Sequence, residues 1–439
     1  MQRDLMAQLT AWRNHPIRMP LILRGARQVG KSWLVKEFGK QFSLYIEINF
    51  DKDASAKNMF SDDINIEKLL DKIALYAGEK IIPGKTLLFL DEAQECENSL
   101  KTLRYFKEEL PELHVIAAGS LIDFALQKIG VPVGRVQQLY LKPLSFGEFL
   151  TVSGESYLRQ ALLNGNVDIS IHDKLNELIR NYFWLGGMPA IIDSWLAYKD
   201  PTICQELHDL ILRSYIQDFE KYAKKHQIDH VAKVFYAVPE HLGNKFKASK
   251  IDSEVKSIQL KNALDLLVKA GVAYKCFHTS AQGAPLAMGK DYDKFKTYFF
   301  DIGLVMRLLK LDLRQWITAP LNINFIGAIA EQFVAQELVA YSDPSATGEL
   351  YYWHRESKSS NAAIDFLTVH NDHLAPIEVK ASVKGGMKSL MVFLDSHPNS
   401  KYGLKISERY YSKHGKLVEI PFYAIESWMK STDQHPNQA

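Results

Sequence analysis

Two glycines five residues apart, followed at once by a lysine and a serine, constrain this chain more than any other feature. The stretch runs Gly25, Ala26, Arg27, Gln28, Val29, Gly30, Lys31, Ser32, with Trp33 next. The apolar run 20–25 before it reads as a buried strand, and 31–42 after it as an amphipathic helix. The glycines therefore fall in a strand-to-helix turn. There they let backbone N–H groups curl around phosphate oxygens, while the helix N-terminus adds a favourable dipole. In such a cradle Lys31 neutralises the β- and γ-phosphates of a nucleotide, and the Ser32 hydroxyl is a magnesium ligand. The alternative, a Gly-rich turn arising by chance, lacks an account of the strand and helix on either side.

The apolar runs 43–50, 86–92 and 114–120 read as further buried strands between amphipathic stretches. Near-continuous apolar strands separated by helices predict an α/β parallel sheet covered on both faces. The run 86–92 ends in Asp91-Glu92. In the same sheet as the cradle, Asp91 would help hold the magnesium ion and Glu92 would polarise an attacking water. On its own such an acid pair is also a common solvated turn. Ser120 ends the next strand; it reads either as a sensor of the γ-phosphate or as the N-cap of the following helix, and the two are not exclusive. Arg135 follows that helix and reads either as a surface residue or as a guanidinium offered to a neighbouring subunit's nucleotide, which would require a homo-oligomer.

At 439 residues the chain exceeds one ordinary core, and ~150 residues per domain suggests two to four. The expected division is a nucleotide domain over 1–150, a helical segment over 151–225, a winged-helix-like segment over 226–315 and an α/β domain over 316–430. The 53 basic and 51 acidic residues nearly cancel, so net charge alone predicts neither a nucleic-acid nor a membrane partner. Cys96, Cys204 and Cys276 are too scattered for a disulfide framework or a cysteine zinc site. The charged N-terminus does not resemble a signal peptide, and no apolar run reaches the ~20 residues a spanning helix needs. A cytoplasmic protein is expected. The end of the chain, STDQHPNQA, reads as a disordered tail.

The segments GARQVGKS, LDEAQ, AAGS and GR-x-x-x-L-x-L-x-PLSFGEFL resemble the AAA-type domain of prokaryotic archaeal-type ATPases that carry a C-terminal domain of unknown function. The resemblance continues through YFWLGGMPAII, YFFDIGLVMRLL and IEVKAS. It implies ATP binding by Lys31 and Ser32, magnesium and water roles for Asp91 and Glu92, a sensor role for Ser120 and a finger role for Arg135.

Residues 246–280 have the cadence of a winged helix, and 221–261 hold nine lysines against four acids. Such a patch either lies on the phosphates of DNA or simply solvates its helices. Downstream, Asp365, Glu378 and Lys380 form a D…E-x-K pattern. A two-residue turn at Asn371-Asp372 would place Asp365 opposite Glu378, with Lys380 on the same face, provided Pro376 causes no bulge. Glu331 joins them from a helix whose apolar face holds Val334, Ala335 and Leu338. Helix (326–341), three strands (350–354, 362–370, 374–381), helix (386–394) and strand (402–406) is also the order of the PD-(D/E)xK nuclease core, which this segment resembles. It implies a second divalent metal held by Glu331, Asp365 and Glu378 beside Lys380, and DNA as target. Against it stand a non-cleaving protein-interaction module and, for the cradle, a small-molecule kinase. The kinase would need an acceptor pocket and an arginine-rich lid, and the sequence offers neither.

Overall fold

Leu21–Arg24 (β1) is buried at all four positions because it lies inside a sheet with a strand on each side. A computed structural model describes residues 1–60, 65–130, 134–311, 323–355, 362–381 and 387–431. The expected tail, from residue 432 on, lies outside them. β1 belongs to a five-stranded parallel sheet with Leu44–Asn49 (β2), Thr86–Asp91 (β3), His114–Ala118 (β4) and Gln137–Tyr140 (β5), in the order β2-β3-β4-β1-β5. The inner strands β3 and β4 are buried throughout, whereas edge strands β2 and β5 are buried only at some positions. That difference explains why β5 carries no apolar run for the sequence to announce. One face of the sheet packs Ile46, Ile48, Leu88, Leu90, Val115 and Ala117 against the helices Ile66–Ala77 and Glu97–Glu109.

The chain divides into two compact units, Met1–Lys142 with Asp343–Thr347, and Pro143–Ser342 with Gly348–Ala439. The second unit begins with helices and then builds one eight-stranded mixed sheet. Its strands are Ala273–Thr279 (β6), Lys290–Phe299 (β7), Leu350–His354 (β8), Ala363–His370 (β9), His373–Val379 (β10), Gly403–Ser407 (β11), Ser412–His414 (β12) and Leu417–Pro421 (β13). Their order is β12-β13-β11-β10-β9-β8-β6-β7. The ribbon β6–β7, whose first strand falls within the segment 246–280 read from sequence as a winged helix, is thus hydrogen-bonded into the same sheet as the C-terminal strands. The hairpin β12–β13 and the closing helix Ile425–Lys430 were not anticipated.

Two motifs quoted above meet inside this unit. The Asp301 carboxylate accepts hydrogen bonds from the Gly187 N–H at 2.6 Å and the Leu304 N–H at 3.0 Å. It therefore caps the helix Ile302–Leu308 while clamping the Gly186-Gly187 turn. A Cβ on Gly186, whose φ is +74°, would lie 2.3 Å from Asp301 Oδ1, so only glycine fits. The segment PLSFGEFL is held in a similar way. Ser145 and Glu148 form a capping box on the helix Phe146–Val152, and buried Glu337 accepts from the Phe146 N–H with both oxygens at 3.1 Å.

Candidate functional site

The cradle is made by a sharp turn at the end of β1. Gly25 has φ +142°, Gln28 +62° and Gly30 +95°, and the helix Lys31–Gly39 starts immediately after. A Cβ on Gly25 would stand 2.2 Å from the Leu141 carbonyl oxygen, so this glycine is required for packing as well as for its dihedral. Trp33, at the outside of the first helical turn, is 40% exposed. Lys31 is buried; its Nζ donates to the carbonyls of Gly25 at 2.9 Å and Ala26 at 2.8 Å. Burial pulls its ammonium down to about 8, with Glu92 and Asp91 pulling the other way.

Across from it, the Ser32 hydroxyl donates to Asp91 Oδ2 at 2.9 Å. Asn49 Nδ2 donates to the same oxygen at 2.9 Å from β2. Burial pushes the Asp91 carboxyl upward. Glu92 follows in a left-handed conformation, φ +48°, uncommon for a residue with a side chain. Its Oε2 accepts from Gln94 Nε2 at 2.6 Å. These residues fit a nucleotide and its ion: a desolvated ammonium regains favourable charge interactions from a polyphosphate, and Ser32 and Asp91 present hard oxygens together.

Strand order places Ser120. β4 lies between β1 and β3, so the Gly119-Ser120 turn at its end stands between the cradle and the acids. A Cβ on Gly119 would lie 1.8 Å from Gln94 Oε1, which ties this turn closely to the partner of Glu92. The capping alternative for Ser120 is corrected: the helix Ile122–Ile129 has Leu121 at its N-cap and no side-chain cap bond. One additional residue, Leu121, between strand and helix separates the serine from the capping position. Asn49 and Gln94 were missed as site residues, although Asn49 ends a strand of the same sheet and Gln94 lies in the quoted LDEAQ.

Arg135 lies elsewhere. β5 runs parallel to β1 with Gln137 beside Leu21, so Arg135 precedes the N-terminal edge of the sheet, whereas the cradle follows the C-terminal edge. Its Nε donates to Glu108 Oε1 at 2.9 Å, and the side chain is 47% exposed.

In the second unit the hairpin turn has φ +48° at Asn371 and +63° at Asp372, the positive pair that a two-residue turn requires. β9 and β10 pair from His370↔His373 to Phe366↔Ile377 without interruption, with Pro376 opposite Leu367. Alternation from the turn places Pro376 at a position not hydrogen-bonded to β9, so its missing N–H takes no bond from the hairpin. The irregularity falls on the other side of β9: β8 takes two steps from Tyr351 to Trp353 while β9 takes three from Leu367 to Ile364. The additional residue lies at Asp365-Phe366, and bulges of this kind re-aim side chains.

Asp365 Oδ2 accepts from the Val379 N–H at 2.9 Å. Lys380 Nζ pairs with Glu378 Oε1 at 2.5 Å. Glu331 Oε2 accepts from the Tyr298 hydroxyl at 3.0 Å. The residue that sequence reasoning missed is Lys296 of β7, whose Nζ lies 3.4 Å from Glu331 Oε2 and 3.8 Å from Asp365 Oδ1. Burial, with Glu331 beside it, pushes Asp365 up, and burial also pushes Glu378 up. Burial alone would lower the Lys296 ammonium, but Glu331 and Asp365 hold it above its ordinary value. Among the described residues no group of three or more His, Cys, Asp or Glu side chains is arranged to hold a metal ion. Nor, among them, is any helix long and apolar enough to cross a membrane.

Comparison with known proteins matches residues 18–150 to a family model described as an AAA domain. Residues 176–315 and 326–424 match two models described as domains of unknown function, DUF8612 and DUF4143. No curated protein matches the chain. Among solved structures, a Walker-type ATPase of Pyrococcus abyssi is similar at 15% identity and a TM-score of 0.46, over 70% of this chain and 95% of that one. The ORC1 protein of Aeropyrum pernix, solved in complex with DNA, is similar at 10% identity and a TM-score of 0.30, over 71% and 93%. Cdc6p of Pyrobaculum aerophilum is similar at 10% identity and 0.24, over 62% and 85%. Residues 18–150, built around the strand-to-helix cradle and its facing acids, are an AAA-type P-loop ATPase domain.

Proposed function

We propose that the chain binds Mg-ATP in the cradle of residues 25–33 and hydrolyses it, passing the change of nucleotide state to the second unit. The observation that carries this is the Ser32–Asp91 hydrogen bond, which joins the phosphate loop to the acid strand. The magnesium ion, when bound, supplies positive charge against the terminal phosphates. Ser32 and Asp91 would hold it, and Lys31 would hold the β- and γ-phosphates. Glu92, fixed by Gln94, would orient water and draw its proton toward the carboxylate. Ser120 would report the γ-phosphate, with Arg135 reaching the nucleotide of a neighbouring copy. Lys31→Ala should abolish ATP turnover measured as phosphate release; unimpaired turnover would sink the reading.

For the second unit, the helix–strand order and the hairpin register support a PD-(D/E)xK-like fold over 316–430. DNA is its proposed partner. The lysine-rich segment 221–261 supports that partner; His241, Lys245, Phe246, Lys247 and Lys250 line a shallow surface hollow there. A second reading, in which this unit binds without cutting, draws on the position of Lys296 beside Glu331 and Asp365.

A further inference from the structure

Three carboxylates, Glu331, Asp365 and Glu378, converge from the helix Ile323–Ala340 and from β9 and β10. Their side chains are 19%, 16% and 8% exposed. Partly buried acids that act on one another electrostatically repel and need positive charge close by. In a metal-dependent nuclease that charge is a divalent ion. Here two ammonium groups are already engaged. Lys380 pairs with Glu378 in the strand pattern expected of the fold. Lys296 comes from the far edge of the sheet. On β7 it stands opposite Cys276 of β6, and its Nζ passes 5.4 Å from the Tyr352 ring of β8 before it meets Glu331 and Asp365. Its side chain is only 10% exposed, so the ammonium has given up most of its water for these partners.

Neighbouring groups fix the arrangement. The Tyr298 hydroxyl, two residues along β7, donates to the same Glu331 oxygen that Lys296 approaches. Gly243 covers it from another side: a Cβ there would lie 2.7 Å from Glu331 Oε2. The Val379 N–H takes one oxygen of Asp365 while Lys296 faces the other. Three acids against two ammoniums leave one excess negative charge, and a divalent ion would overshoot this to one excess positive charge unless a lysine withdrew. Glu378 Oε2 remains as a buried oxygen without a hydrogen-bond partner.

We infer that Lys296 is a resident counter-cation occupying the electrostatic place of a divalent metal among Glu331, Asp365 and Glu378, so that the second unit engages its partner without metal-dependent cleavage. This rests on the non-cleaving reading of that unit and is independent of ATP turnover by the first.

The test is binding of Mn²⁺ to the nucleotide-free full-length protein, followed by electron paramagnetic resonance. Every protein carries Asp91→Asn to remove the ion site of the cradle. The Asp91→Asn protein should bind no Mn²⁺ that depends on Asp365, giving the same titration with and without Asp365→Asn. Adding Lys296→Met should create one Mn²⁺ site, tighter than any in the parent by tenfold or more, which disappears again with Asp365→Asn. Lys296→Gln, which keeps a hydrogen-bonding side chain, should give the same gain and serves where the methionine variant does not fold. An Asp365-dependent Mn²⁺ site in the parent overturns the inference, as does a folded Lys296 variant that gains none. The parent titration decides even if both Lys296 variants unfold. ATP turnover, measured separately in the protein with Asp91 intact, tells failure of the ATPase reading apart from failure of this one.

Discussion

Ser32 and Asp91, 59 residues apart in the chain, meet through a hydrogen bond of 2.9 Å in which the hydroxyl donates to the carboxylate. Since each would contribute to holding the same ion, their removal should not be additive. Ser32→Ala and Asp91→Asn should each cut turnover and raise the magnesium concentration needed for half-maximal rate. The double variant should lose less than the two losses summed, with a coupling of about 0.5–3 kcal/mol from the ratio of kcat/KM values. Strict additivity would mean that the two do not serve one centre.

Gly25 is expected to tolerate no side chain. Gly25→Ala sets a Cβ 2.2 Å from the Leu141 carbonyl oxygen at a φ of +142°. The variant should lose at least about 2 kcal/mol of stability in denaturant unfolding, together with nucleotide affinity. An alanine variant as stable as the wild type would show that the strand gives way easily.

Arg135 pairs with Glu108 on the edge of the sheet away from the cradle. Arg135→Ala should therefore leave thermal stability nearly unchanged; if the guanidinium reaches a neighbouring copy's nucleotide, ATP turnover should fall. Mixed with a Lys31→Ala protein it should recover part of that turnover, because one partner supplies the cradle and the other the guanidinium. Absence of recovery in the mixture would remove the finger role.

Glu337 gives the second unit a pH signature. Burial pushes its carboxyl up to about 8, against a partial pull downward from Tyr341 and the Phe146 N–H. The folded state thus holds this proton more tightly than the unfolded chain, whose group titrates near 4.5. The contribution is complete below the unfolded value and is lost as pH rises toward 8. Glu337→Gln removes the titration, so its stability relative to the wild type should increase by more than about 1 kcal/mol between pH 5 and 8. A constant difference across that range would count against a buried neutral carboxyl.

If the lysines of the hollow lie on phosphates, Lys245→Ala and Lys247→Ala should weaken DNA binding without regard to sequence. Each should reduce the slope of log affinity against log salt by about 1. Unchanged affinity would return these residues to an ordinary solvated surface.

What the sequence disclosed was local. Gly25, Gly30, Lys31 and Ser32 declare a strand-to-helix cradle because one short stretch contains the whole geometry. Asn371-Asp372 declares a hairpin for the same reason, and the register of β9 on β10 follows from it by counting. Lys296 was illegible: it is one of several lysines in the ribbon 290–296, and only the joining of β7 to the C-terminal strands brings it to Asp365. The bulge at Asp365-Phe366 was hidden because it depends on β8, the other neighbour of β9. β5 was missed for a different reason: an edge strand needs few apolar residues. Ser120 shows the limit of residue preference, since a serine before a helix has every local qualification for a cap and yet stands one residue too early.

The contact between Gly25 and the Leu141 carbonyl has a mechanical meaning. Leu141 is the penultimate residue of the first unit along this stretch, and the polypeptide passes into the second at Pro143. The wall of the cradle is therefore also its tether. A shift of the loop that moved Gly25 would press directly on the Leu141 peptide, with no side chain in between to absorb it.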